Sequence, residues 1–169
     1  MMRKAAAWLS VALMSFGCAS EYSWRSGVPE NMRSVSVPVF RNESEVTELG
    51  AVAARQLLRE FQREGTFKIA AGGNSALEIQ GVVKRASAGT LGYNRGTGMR
   101  FSNFDFTAEV EISVIDKTRG KVLLDNKPYL ARTTFIGNDD YITSRRDASG
   151  RLAEDLARQV VDDVLALKW

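Results

Sequence analysis

Val35, Val37 and Val39 alternate with Ser34, Ser36 and Pro38, the period-two pattern of a half-buried strand. Pro38 cannot donate to a β-ladder, so this strand is expected near a sheet edge. Val46, Leu49, Ala53, Leu57 and Phe61 then recur at spacings of three and four, which lines them along one face of a helix. Asn42, with Glu45 three residues on, is expected to cap the start of that helix, and Gly65 to end it in the left-handed conformation. The stretch "TFKIA" reads as a short strand and "AGGNS" as a turn.

Leu77 and Ile79 alternate with Glu78 and Gln80, and Gly81 is the expected site of a bulge. The stretch "AGTLGYNRGTGMRFSN" holds four glycines and two arginines and reads as a long hairpin loop. Beyond it, Phe104, Phe106, Ala108, Val110, Ile112 and Val114 alternate with Asp105, Thr107, Glu109, Glu111 and Ser113. One side of that strand is dry and the other wet, as in an antiparallel sheet covered on a single face. "DKTRGK" is a turn, "VLLDNKPYLARTTF" a return strand interrupted by Pro128, and Leu152, Leu156, Val160, Val164 and Leu167 form a second helical stripe. Two amphipathic helices and one apolar sheet face pack most economically as an α+β two-layer sandwich: a mostly antiparallel sheet of about four strands with two helices on one face.

The N-terminus changes the picture. Arg3 and Lys4 precede an apolar run from Ala5 to Phe16, and small Gly17 precedes Cys18, the single cysteine. The run is too short to span a bilayer, which takes about 20 residues, and it fits a secretory signal. A lone Cys cannot close an internal disulfide. Directly after a signal it fits the acylated residue of a bacterial lipoprotein, although Ser15 and Phe16 depart from the usual box; the alternative is a buried or unused thiol. The expected organisation is a signal peptide over 1–17, a polar tether over 18–32 and one α+β domain over 33–169. Of 23 basic side chains two lie in the signal, so 21 stand against 20 acidic ones in the processed chain. Bulk charge therefore gives no reason to expect nucleic acid, and an anion-binding surface must come from local clustering.

The chain has no His. With its one Cys assigned to acylation, His-based acid–base catalysis, Ser-His-Asp and Cys-His nucleophiles and nearly all zinc sites are excluded. The glycine-rich "GTLGYNRGTGMR" lacks the Lys-Ser/Thr pair and following helix of a phosphate loop. Glu109 and Glu111 share the wet face of a strand, where nothing apolar would separate their pKa values as a general acid requires. The acidic pairs at 139–140 and 162–163 supply too few oxygens at set spacing for a metal cage. No cofactor and no metal are expected. Lys84, Arg85, Arg95, Arg100 and Arg132 flank or occupy the long hairpin. They could converge at one end of the sheet to bind phosphate groups, or be scattered surface charge. Trp169, the last residue, either anchors the closing helix or faces a partner.

The ordered set "RSVSVPVFRNESEV", "LLREFQREGTFKIA", "ALEIQGVVKR", "FTAEVEISVIDKTRGKVLLDN" and "RLAEDLARQVVDDVLALKW" resembles the lipopolysaccharide-assembly lipoprotein family, LptE, from about Cys18 to Trp169. The resemblance implies a non-enzymatic outer-membrane lipoprotein on the periplasmic side. It would associate with a β-barrel lipopolysaccharide transporter, assist its assembly and bind lipopolysaccharide on its way to the outer leaflet. It also gives the five cations a role, as candidate contacts for lipid A phosphates. "VSVPVFRNES" with "GTFKIA" is similar as well to small α+β lipoproteins of secretion pores or cell-wall synthase activators, the alternative reading.

Overall fold

The structure is a computed structural model and describes residues 27–70, 72–96, 99–137 and 140–169, with the backbone alone at 72, 92–96 and 99–102. In chain order the elements are β1 (Ser34–Ser36), β2 (Arg41–Asn42), α1 (Leu49–Glu64), β3 (Lys68–Ile69), β4 (Leu77–Gly96), β5 (Met99–Asp116), β6 (Lys121–Gly137) and α2 (Tyr141–Leu165). The sheet runs β3-β1-β4-β5-β6, with β2 pairing β4 beside β1. It has six strands and is mixed, where about four mostly antiparallel ones were expected. The three short strands β1, β2 and β3 pair in parallel, and the long strands β4, β5 and β6 form an antiparallel meander.

Both helices cover one face. Leu77, Ile79 and Val83 of β4, Phe106, Ala108, Val110, Ile112 and Val114 of β5, and Tyr129, Ala131 and Phe135 of β6 are buried against Leu49, Ala53, Leu57 and Phe61 of α1 and Leu152, Leu156, Val160 and Val164 of α2. The helices run in the same direction. Gln56 Nε2 donates to the carbonyl of Gly150 at 3.5 Å, while past both helix ends the Phe67 and Trp169 rings lie 6.3 Å apart. Phe61 closes edge-on to Phe67 at 5.2 Å, so Trp169 packs the end of α2 into the domain. Gly65 ends α1 with φ 86°, and its N–H reaches the Phe61 carbonyl at 3.1 Å, as its sequence position predicted.

Several local expectations are corrected. β1 lies one strand in from the edge, near it as expected, but it is only three residues long, and Pro38, from which that placement was argued, lies beyond its end. Asn42 does not cap α1, which begins at Leu49. Its Oδ1 instead accepts from the Ser44 N–H at 2.9 Å and its Nδ2 donates to the Val46 carbonyl at 2.7 Å, shaping the loop before the helix. Pro128 does not interrupt β6, because an edge strand can turn an amide position away from its ladder. Gly81 is not a bulge. A Cβ there would lie 2.5 Å from the Phe40 ring, so its bare backbone is the seat for that aromatic; the bulge falls at Lys84, between the pairs Val83/Val110 and Arg85/Glu109. The expected long loop is strand almost throughout, paired as far as Gly96 and Met99.

The folded part also begins before residue 33, since Val28 and Met32 lie in the core. Cys18 and the expected signal peptide lie outside the described residues.

Candidate functional site

Helix α2 is nine residues longer than α1, and its first turns lie over the far half of the β4–β5–β6 meander. Asp140 starts it by accepting from the Thr143 N–H at 3.0 Å. Tyr141 then meets Phe104 edge-on at 5.0 Å, and Phe104 stacks on Phe135 at 5.1 Å. Gly137 makes room for this cluster: a Cβ there would stand 2.5 Å from the Phe104 ring. Beside the cluster is an open hollow of about 550 Å³ lined by Leu91, Asn103, Thr134, Phe135, Ile136 and Arg151. Leu91 and Ile136 are exposed at its rim, and Arg151 Nη2 donates to the Thr134 carbonyl at 3.1 Å.

The five basic residues of the sequence expectation fall at three levels of the meander. Lys84 occupies the bulge of β4, and its ammonium meets Glu43 Oε2 at 2.6 Å. That carboxylate holds the Lys84 pKa above its ordinary value, and the ammonium in turn holds Glu43 below its own. Arg85 stands opposite Glu109, with a separation of 3.8 Å and a side chain 83% exposed. Arg132 lies across β5 and donates through Nε to Asp105 at 2.7 Å, a hydrogen bond that raises its pKa. Arg95 and Arg100 are backbone partners at the hairpin end. The partner of Arg85 and the partner of Arg95 are nine positions apart along β5, about 30 Å of strand. Lys84, Arg85 and Arg132 therefore share the middle of the sheet, and Arg95 with Arg100 forms a separate pair.

Glu109 and Glu111 are half-buried on the helix-free face, with the exposed Arg85 beside the first. No group of residues able to hold a metal ion is found among the described residues, and no described helix is long and apolar enough to cross a membrane.

A contact missed by the sequence reading is Asp163, which accepts from Lys127 Nζ at 2.6 Å and from the Tyr129 hydroxyl at 2.7 Å. Lys127 holds the Asp163 pKa down, while burial, followed by the hydrogen bond to Asp163, pushes Tyr129 up. The cluster fastens α2 to β6. Its sequence signal was a tyrosine and a lysine two positions apart on a strand, with a carboxylate on a distant helix, and nothing local connects them.

Among solved structures, the chain is similar to a candidate lipoprotein from Caulobacter crescentus CB15 at 14% identity, with 80% of this chain and 91% of that chain covered and a TM-score of 0.54. It is similar in the same measure to a hypothetical protein from Chlamydia trachomatis, at 14% identity, 79% and 96% coverage and a TM-score of 0.54. These likenesses show the fold. No curated protein sequence matches the chain. The family model of lipopolysaccharide-assembly proteins, LptE, matches residues 32–164, from the last turn before β1 to the last turn of α2. With the two-helix α+β sheet and the basic meander in place, the chain belongs to the lipopolysaccharide-assembly family, LptE.

Proposed function

We propose that this protein is a non-enzymatic outer-membrane lipoprotein. Anchored through Cys18 and facing the periplasm, it associates with a β-barrel lipopolysaccharide transporter, assists the assembly of that barrel and contacts lipopolysaccharide on its way to the outer leaflet. The family match across residues 32–164 carries this reading. The charge pattern supports the ligand. From Lys84 to Asn103 the chain holds Lys84, Arg85, Arg95 and Arg100 and no carboxylate. Arg95 and Arg100 are register partners, and arginine is a residue type whose guanidinium fork matches phosphate oxygens. Arg132 adds a cation in the middle of the meander.

Neutralising Lys84, Arg85, Arg95 and Arg100 together is expected to weaken binding of purified lipopolysaccharide and to flatten its dependence on salt. Binding unchanged in strength and salt slope would remove these residues from the ligand site. Cys18→Ala is expected to leave the domain folded but free of the membrane, since acyl chains contribute about 0.8 kcal/mol per buried CH₂. Affinity purification of the tagged lipoprotein from outer membranes tests the partner, the expected companion being a large β-barrel.

A further inference from the structure

The sheet has two long edges, and they are built differently. Along the β6 edge the strand carries register shifts near Leu123 and at Asn126, the latter with φ 42°, and Pro128 lies close behind. Lys127 and Arg132 follow, each tied into an ion pair. Bulges, proline and charge are the devices by which an edge refuses another strand. The β4 edge is filled by β1 at Leu77 and Glu78 and by β2 at Val82 and Val83, and the N–H of Glu43 closes that row on the Val83 carbonyl at 2.9 Å. Among the described residues no strand pairs with this edge beyond Val83. From Arg85 to Thr90, between the bulge at Lys84 and the one at Leu91, the strand is regular, and it reads Arg-Ala-Ser-Ala-Gly-Thr. It has no proline, and six residues is the length of an ordinary strand.

We propose that the Arg85–Thr90 edge of β4 is a docking site for an extended segment of a partner polypeptide that alternates apolar with acidic side chains and continues the row of short strands begun by β1 and β2. The two faces of the vacancy set that chemistry. Ala86 and Ala88 are half-buried and pack against the core on the helix side, so apolar side chains added beside them would extend that apolar face. Arg85 and Ser87 are exposed on the opposite side. The Arg85 guanidinium is held by Glu109 at no better than 3.8 Å, which leaves it able to meet a carboxylate across the new pair. Backbone hydrogen bonds would supply affinity and the alternating side chains specificity.

A second copy fits the place poorly. Antiparallel self-pairing of the window sets Arg85 against Thr90 but drives Gly92 of the copy onto Val83, whose free side β2 already occupies. Sliding the copy outward to clear β2 brings Arg85 alongside Arg95, and like charges opposed across strands are destabilising.

The test is amide hydrogen exchange on the full chain in detergent, with a short capped peptide alternating valine and glutamate as probe and its valine–lysine counterpart as control. The glutamate peptide is expected to slow exchange across Arg85–Thr90 and to leave β6 unchanged. The lysine peptide is expected to bind about fivefold more weakly, and Arg85→Glu, a change at an exposed position, to reverse the preference. No protection from either peptide, or equal protection of β6, overturns the proposal. So does protection, before peptide is added, of those Arg85–Thr90 amides that point away from β5. If that protection rises with protein concentration alongside dimer sedimentation, the occupant is a second copy; if it does not, the occupant is this chain's own N-terminal segment.

Discussion

One strand, β4, lives in two environments on either side of Lys84. From Leu77 to Val83 it has β5 on one side and β1 and β2 on the other, and its inward residues Leu77, Ile79 and Val83 are fully buried. From Arg85 onward only the β5 side is paired among the described residues, the inward residues Ala86 and Ala88 are half-buried, and Leu91 is exposed. The contrast teaches that regular backbone hydrogen bonding with one neighbour does not make a strand part of the core. Apolar area removed from water does that, and it scales with how many elements close over the residue.

The largest way to break the contrast is a truncation in each half. Ile79→Ala is expected to cost about 2–5 kcal/mol, because a cavity opens among residues that cannot collapse onto it. Leu91→Ala is expected to stay within about 0.5 kcal/mol. Denaturant midpoints of the two variants measure this, and similar losses would mean that the outer half is packed as tightly as the inner.

Next come the glycines. Gly81→Ala places a methyl 2.5 Å from the Phe40 ring and is expected to cost about 1–3 kcal/mol through forced repacking. Gly89→Ala meets nothing within 4 Å and lies outside the left-handed region. It is expected to be neutral or to stabilise by up to about 1 kcal/mol, by restricting the unfolded chain. Thermal melts of both variants decide it.

The smallest effect is titration. Glu78, in the inner half, has its pKa lowered from the ordinary 4.5 by the hydrogen bond from Gln80 and then by Lys117, against the opposing pull of burial. A depressed carboxylate contributes stability that is present above its unfolded pKa and is lost as pH falls through the folded value. Acid unfolding followed from pH 5 downward is therefore expected to have a shallower slope in Glu78→Gln. From Ala86 to Thr90 the outer half holds no charged residue, so no substitution of that stretch to neutral residues should remove a comparable term.

Much of the fold was legible from the residues. The alternation of Phe104 to Val114 survives, and so do the stripes from Leu49 to Phe61 of α1 and from Leu152 to Val164 of α2, with Val46 before the first helix and Leu167 past the second, because the side-chain periods of strand and helix are local geometry. Of the small strands, β1 and β3 fall inside stretches that read as strands, whereas β2, two residues long, is too short for any period and exists because β4 offers it hydrogen bonds. The same limit applies to the candidate site. Cationic side chains around the hairpin could be listed from the sequence, yet their separation into Lys84, Arg85 and Arg132 at mid-sheet and Arg95 with Arg100 at the end follows from the register of β4 against β5. Extension of those strands through a glycine-rich stretch was masked by composition that also suits loops.

By itself the sequence determined which residues face inward along the long strands and helices, that the chain holds no His and a single Cys, too few for an internal disulfide, and that a basic stretch without carboxylates runs from Lys84 to Asn103. Tertiary structure alone decided that Gly81 is a seat for Phe40, that Asp163 fastens α2 to β6, and that one sheet edge is guarded while part of the other stands open. Inward and outward faces are written in the spacing of neighbouring residues. What lies beside a strand depends on residues about forty positions away, whose arrival is settled by the free energy of the whole assembly.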